Sequence, residues 1–291
     1  MFWLGTLILS LFWGGSYLAI RIAIGEIPPF AGAGLRLVIA WGLAGILLLA
    51  GQRSAANRSW KLASIGVGVI SFGVPWAILF WAERFVLPSL GALAACSVPI
   101  FTRLLSPWVN PADSHPSGEW IGIGIGFFGV ILLVWPSWQS PDPMQILSGS
   151  ILLVMSLGYA AGILGARKVS PHLTTAESIF YQVGGGILFL LPLTLLFDDW
   201  QAARWGWAGF ASIGYLGVCS TFLAFLIFFN MVRRYGSVQA SLVPYFPPVV
   251  SLALDRIFLK TLPEPLSIAG GLVILVGVYL TQQLSFSKRS A

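Results

Sequence analysis

Apolar positions along this chain fall in long unbroken blocks and do not alternate with polar ones. A helix needs about 20 residues to cross a bilayer core. Runs of that length lie near 3–22, 30–50, 62–82, 86–104, 118–138, 146–166, 177–197, 207–229, 238–258 and 266–284, each bounded by charge or by Pro, Gly, Ser and Asn. The pattern predicts an all-α integral membrane protein of ten transmembrane helices, with connections too short for an extramembrane catalytic domain. Thr174-x-x-Glu177 has capping-box spacing at the start of the seventh run. The first run has no Lys or Arg before it and no small-x-small cleavage site after it, so it reads as a retained helix and not as a signal peptide.

Composition agrees. Hydrophobic residues make up 57% of the 291 and charged residues 9%, whereas a soluble domain carries about 25% charge. The formal net charge of +6 contains no basic cluster longer than two residues, so it marks membrane loops and excludes a nucleic-acid partner. Cys96 and Cys219 lie in apolar stretches, and His115 and His172 stand alone in polar loops. This chemistry predicts no disulfide framework, no metal site and no cofactor. With the N-terminus inside, Arg53, Arg58, Lys61, Arg103, Arg167, Lys168, Arg233, Arg234, Lys288 and Arg289 are cytoplasmic, while Arg21, Arg84, Arg204, Arg256 and Lys260 are outside. That asymmetry predicts a multi-pass protein of the inner (cytoplasmic) membrane with both termini cytoplasmic. Trp3, Trp60, Trp120, Trp138, Trp200, Trp205 and Trp207 fit an aromatic belt among the surrounding lipids.

A shift of 148 residues superposes Ser89 on Ser237, Ala92 on Ala240, Pro99 on Pro247, Gly122 on Gly270, Gly129 on Gly277 and Val130 on Val278, and Gly66 on Gly214. The register predicts two five-helix repeats, over 1–140 and 141–291. Because five is odd, the second repeat is inverted in the membrane, the arrangement that supports alternating access around a midplane site. A transporter of small molecules is the preferred function. The alternatives are an uncoupled facilitator of the same fold and a non-transporting scaffold or accessory subunit. An enzyme is disfavoured, since the chain has no His-Glu-x-x-His, no paired intramembrane carboxylates and no Gly-x-Ser-x-Gly.

Gly118, Gly122, Gly126 and Gly129 form a smooth strip on the fifth run, with Gly270, Gly271 and Gly277 as a looser copy on the tenth. Such strips let helix backbones touch, within one chain or in a homodimer. Gly184 to Gly186 in the seventh run read the same way. Pro75, Pro99, Pro244, Pro247 and Pro248 interrupt helix hydrogen bonding inside the membrane and are candidate gating or kink positions.

Arg36 carries the strongest polar signal, because a permanent charge roughly 9 Å inside the second run needs a carboxylate, a wet cavity or an escape to the interface. Glu83 ends the third run as its candidate partner. Trp13, Ser16, Tyr17, Tyr159, Tyr181, Gln182, Asn230, Gln239 and Tyr245 complete a candidate cavity of hydroxyl, amide and aromatic groups suited to an amino acid or similar metabolite. Glu83 and Asp255 are the candidate groups for proton coupling, although Asp255 beside Arg256 and Lys260 reads more simply as a local moderator of basic charge. No sodium site is evident.

Across essentially all of its length the chain resembles the drug/metabolite transporter superfamily, specifically the EamA-type ten-helix exporters. The resemblance rests on Leu11-Phe-Trp-Gly-Gly-Ser-Tyr-Leu-Ala-Ile20, Glu26-Ile-Pro-Pro-Phe30 followed by Leu35-Arg36, and two related blocks. These are Leu90-Gly-Ala-Leu-Ala-Ala95 through Pro99 with Gly122-x6-Gly129-Val130, and Ser237-Val-Gln-Ala-Ser241 through Pro247 with Gly270-x6-Gly277-Val278. It implies inverted five-helix repeats, cytoplasmic ends, and export of small metabolites, often amino acids, with protons as a common coupling ion. The family's Gly-Glu pair falls here on Asp113 and on Thr261 without the glycine, and Glu119 does not occupy the motif.

Overall fold

The computed structural model describes residues 2–51, 54–109, 119–235 and 243–286. All regular structure among them is helical. The helices are α1 (Phe2–Ile24), α2 (Pro29–Ala50), α3 (Arg58–Ala82), α4 (Pro88–Val109), α5 (Glu119–Trp138), α6 (Pro143–Val169), α7 (Thr175–Phe197), α8 (207–235), α9 (Pro247–Leu254) and α10 (Pro265–Phe286). Eight of them, α1 to α8, are long and apolar enough to cross a membrane. The expected span 266–284 corresponds to α10, Pro265–Phe286, with an apolar stretch at Pro265–Thr281, and the described part of 238–258 holds α9 from Pro247, continued by a π turn at Asp255–Leu259. Pro247 and Pro248 open α9, where an amide has no partner within the helix and its absence costs no bond. Asp113 and His115 lie outside the described residues.

Successive helices run in opposite directions. Their ends group into a proximal end, where α1 starts, and a distal end, where it finishes. At the proximal end the ring of Trp60 stacks on His172 with centroids 3.8 Å apart. There too the Glu177 carboxylate accepts from the backbone N–H of Thr174 and of Ser54, at 3.0 and 3.1 Å. The expected capping box at the start of α7 is therefore present, and the same carboxylate also holds the loop before α3. At the distal end Asp198, just past α7, accepts from the N–H groups of Phe30 and Ala31 at 3.1 and 2.6 Å and so caps α2. Glu26 performs the same task for α8 by accepting from the Gly209 N–H.

Several helices depart from α geometry, and α9 runs on into a π turn at Asp255–Leu259. A π turn at Val69–Gly73 in α3 precedes Pro75, and the wider turn absorbs a residue whose missing amide would break an α ladder. Another π turn occupies Val218–Leu223 in α8 without any proline. In α4 the helix tightens at Cys96 and Ser97, whose N–H groups reach back three residues to Leu93 and Ala94, and resumes at Val98 with Pro99 in its first turn.

The seam between α5 and α10 is where backbones come closest. A Cβ on Gly129 would sit 2.6 Å from the Ile274 nitrogen and 2.8 Å from the Gly270 carbonyl oxygen, and one on Gly277 would strike the backbone of Gly126. The two glycine strips thus meet each other within one chain. Buried Leu133, Val134, Ile274 and Val278 pack beside them. The triplet at Gly184 to Gly186 makes a similar approach, with Gly185 against the Ile65 carbonyl of α3.

Candidate functional site

A polar cluster lies inside the bundle, built by α1, α2, α3, α6 and α8. Its centre is Arg36, seven residues past the start of α2 and 3% exposed. Its Nε donates to the Thr221 hydroxyl at 2.9 Å and one terminal nitrogen donates to the Ser220 hydroxyl at 3.1 Å. The guanidinium carbon lies 3.7 Å from the centroid of the Trp76 ring. A cation over an indole face is a favourable contact, worth about 2 kcal/mol when water is excluded. No carboxylate among the described residues lies within ion-pair distance of Arg36, so its charge is held by two neutral hydroxyls and a π face.

Local unwinding supplies these partners. Ser220 and Thr221 sit within the π turn of α8. Thr221 donates in turn to the Leu216 carbonyl, five residues back, at 2.7 Å. A wide turn leaves a carbonyl without its usual amide, and the hydroxyl fills that vacancy while accepting from Arg36. Gly217, one residue before the π turn, lets α8 approach α2: a Cβ there would come within 3.0 Å of the Arg36 carbonyl. Trp76 follows Pro75 and is brought inward just past the π turn of α3.

Around this centre, Tyr17, Tyr159 and Tyr215 are within electrostatic range of the guanidinium, as is Glu83. The Tyr17 ring lies against Gly91 of α4. Tyr159 lies beside the Trp76 indole. The Tyr215 hydroxyl donates to the carbonyls of Leu11 and Phe12 at 3.1 and 3.0 Å, tying α8 to α1. That contact also explains Gly15, whose missing side chain leaves room for the Tyr215 oxygen.

The sequence expectations divide accordingly. Tyr17, Arg36, Glu83 and Tyr159 come together, and Trp76, Ser220, Thr221 and Arg21 join them without having been singled out. Glu83 does not bond Arg36. Instead Arg21 donates to the Glu83 backbone carbonyl, and both carboxyl oxygens of Glu83 are buried without a hydrogen-bond partner. Asp255, expected to moderate the charge of Arg256 and Lys260, is 0% exposed and accepts from the Ser89 N–H at 2.9 Å, while the Arg256 guanidinium donates to the Lys260 carbonyl.

Trp13 packs with Phe225 and Phe228, and Phe225 reaches Trp76 through Phe72, while the Ser16 hydroxyl is used on the Trp13 carbonyl at 2.6 Å. Gln182 is buried against the backbone of Gly68 with its amide nitrogen unpartnered. Tyr245 packs against the main core from the turn Val243–Tyr245 that holds Pro244, and Pro247 and Pro248 open α9. Asn230 is exposed on α8, and Gln239 lies outside the described residues. Tyr181 belongs elsewhere: with Trp41, Gly45, Lys61, Glu177 and Phe180 it lines a groove of about 500 Å³ near the proximal ends of α2 and α7. Arg36 is not among the residues that line that groove. No group of three metal-ligating side chains occurs among the described residues.

Comparison with known proteins finds a family, relatives and a shared fold. The EamA-like transporter family matches residues 1–135 and 147–282. An uncharacterized transporter of Bacillus subtilis, YoaV, is 22% identical over 98% of both chains. The uncharacterized inner membrane transporter YedA of Escherichia coli K12 is 27% identical over 94% of this chain and 88% of its own. A probable amino-acid metabolite efflux pump of the same organism is 22% identical over 94% of this chain and 92% of its own. A solved crystal structure superposes with a TM-score of 0.65 at 17% identity, covering 97% of each chain, and shares the fold. With both halves of its length matched and its relatives spanning it end to end, the chain belongs to the EamA-like transporter family and is a multi-pass membrane transporter.

Proposed function

We propose that the protein exports small metabolites bearing a carboxylate, amino acids or close relatives, by alternating access, with Arg36 as the group that receives the carboxylate. One observation carries the reading: Arg36 is a buried permanent cation whose own partners are neutral. Removing a charge from water is costly unless an opposite charge compensates it. Two hydroxyls and an indole orient the guanidinium and leave its charge available to an anion. The phenols of Tyr17 and Tyr159 are placed to bond the polar remainder of a ligand, and Trp76 offers an apolar face to its side chain. The efflux pump named among the relatives supports the substrate class.

Recurrence along the chain supports the mechanism. The π turns of α3 and α8 begin 149 residues apart, at Val69 and Val218, close to the 148-residue register of the sequence repeat. Pro99 and Pro247, which open the second part of α4 and the start of α9, fall on that register itself. Paired unwound helices in two halves of opposite orientation are the usual architecture of a midplane site. We assign the proximal end to the cytoplasm on the distribution of Lys and Arg.

The test is counterflow of labelled amino acids and other small carboxylates into proteoliposomes, with Arg36→Ala and Arg36→Lys in parallel. Saturable uptake of one carboxylate class by the parent, lost in Arg36→Ala at unchanged monodispersity, is the expected result. Flux of neutral or cationic solutes alone, or flux indifferent to Arg36, would overturn the assignment.

A further inference from the structure

The groove of about 500 Å³ beside Tyr181 is formed by α2, α3 and α7 where they reach the proximal end. Glycine opens it: a Cβ on Gly42 would meet nothing within 4 Å, and one on Gly45 would only touch the Phe180 ring at 3.4 Å. Its walls are apolar. Trp41 stacks on Phe180 with centroids 4.8 Å apart, and Ile46 and Leu49, 65% and 80% exposed, stand where α2 nears its end. From Trp41 to Leu49 the trough follows α2 for about 12 Å into the membrane-spanning part of the bundle. Lys61 from the first turn of α3 and Glu177 from the first turn of α7 bring charge to it.

The two charges are not equivalent. The Glu177 carboxylate is 1% exposed and already accepts from the Thr174 and Ser54 N–H groups as the cap of α7. The Lys61 ammonium lies 6.0 Å from the centroid of the Tyr181 ring, a contact that orients a cation without consuming its N–H donors. Arg58, exposed and three residues earlier on the same face of α3, adds a second positive charge. An apolar trough at membrane depth with cations at its interfacial end matches a molecule that has a hydrocarbon chain and an anionic head.

We propose that this groove binds one anionic phospholipid, with an acyl chain laid over Gly42 and Gly45 and the phosphate at Lys61 and Arg58. The head group sets the selectivity. In a bilayer an acyl chain gains little by exchanging lipid neighbours for Trp41 and Phe180, so the preference among phospholipids comes from the charge at the mouth. An aminophospholipid would bring its own ammonium close to Lys61, beside a Glu177 carboxylate that N–H donors already occupy. Bound there, the lipid ties α2, α3 and α7 together at the proximal end. The site is a property of the protein in its membrane and is read without any transported solute.

Native mass spectrometry tests this on the full chain, delipidated in detergent and titrated with phosphatidylglycerol or phosphatidylethanolamine of the same acyl chains, and with glycerol 3-phosphate as a head group without chains. The parent should hold phosphatidylglycerol about fivefold more tightly than phosphatidylethanolamine, and should not retain glycerol 3-phosphate. Lys61→Gln should erase that preference and leave weak retention of both lipids. Gly42→Leu, whose Cβ meets no atom within 4 Å and whose branches fill the trough, should lose both lipids at an unchanged thermal midpoint; if it proves unstable, Lys61→Gln decides alone. Lys168→Gln removes an exposed charge outside the groove and should leave the preference intact. Equal retention of the two lipids by the parent, a preference that survives Lys61→Gln, or unchanged retention in a folded Gly42→Leu overturns the site. So does retention of glycerol 3-phosphate, which would mark a site for a soluble anion, or an equal loss in Lys168→Gln, which would reduce the effect to general surface charge.

Discussion

Between α5 and α10 the backbones touch through glycine, and the Ser267 hydroxyl adds a bond to the Leu133 carbonyl across the same seam. Between α2 and α8 a guanidinium is surrounded by hydroxyls and an indole, on a helix whose turn has been widened to reach it. The first contact has one geometry, because any atom added to it meets main chain that cannot swing aside. The second is assembled from side chains with rotamers and from helices already interrupted, so its parts can exchange partners at modest cost. Rigid seam and adaptable centre are what a carrier needs: one part keeps its packing while the other admits and releases a solute.

The largest effect that would separate the two regions is on folding. Gly129→Leu places side-chain atoms where the Ile274 nitrogen and the Gly270 carbonyl stand, and it should cost about 3 kcal/mol or more. The expected outcome is loss of a monodisperse peak and a collapsed thermal midpoint in detergent. A well-folded Gly129→Leu protein would show that the seam is not rigid.

In the centre the order reverses, with function lost and fold kept. Arg36→Ala is expected to abolish carboxylate counterflow while leaving the thermal midpoint within a few degrees of the parent. Thr221→Val should act more gently. It removes a hydrogen bond to a charged group, worth about 1.5 to 3 kcal/mol, so the half-saturating carboxylate concentration should rise by about tenfold or more in the same assay. The smallest effect belongs at the periphery: Asp198→Ala takes away the cap of α2, costs about 1 kcal/mol, and should lower thermal stability slightly with flux retained. A large flux defect from Asp198→Ala would move part of the adaptable machinery to the distal loops.

The helices were legible because span length and apolar continuity are local properties. Predicted limits such as 30–50 and 177–197 fall within two residues of α2 and α7. Arg36 was legible for a related reason, since a charge within an apolar run has no ordinary structural use. Trp76, Ser220 and Thr221 were not: an indole and small hydroxyls in a membrane helix look the same in sequence whether they pack or bind. The π turn at Val218–Leu223 left no mark either, having no proline to announce it. The role of Asp255 depends on Ser89, 166 residues away, and neighbours in sequence such as Arg256 pointed instead to local charge balance. Which residues meet is decided by how the helices cross, and periodicity carries no record of that.

The Asp198 cap has a consequence for biosynthesis. The first amides of α2 are bonded by a carboxylate that lies 167 residues downstream of Ala31, so the ribosome delivers α2 to the membrane long before its cap exists. In the same way the loop around Ser54 awaits Glu177, 123 residues later. The early helices must therefore remain in a provisional arrangement until α7 and its following loop emerge. Two fragments divided between α5 and α6 should accordingly mature only when made in the same cell, and the earlier fragment made alone should be a substrate for membrane quality-control proteolysis.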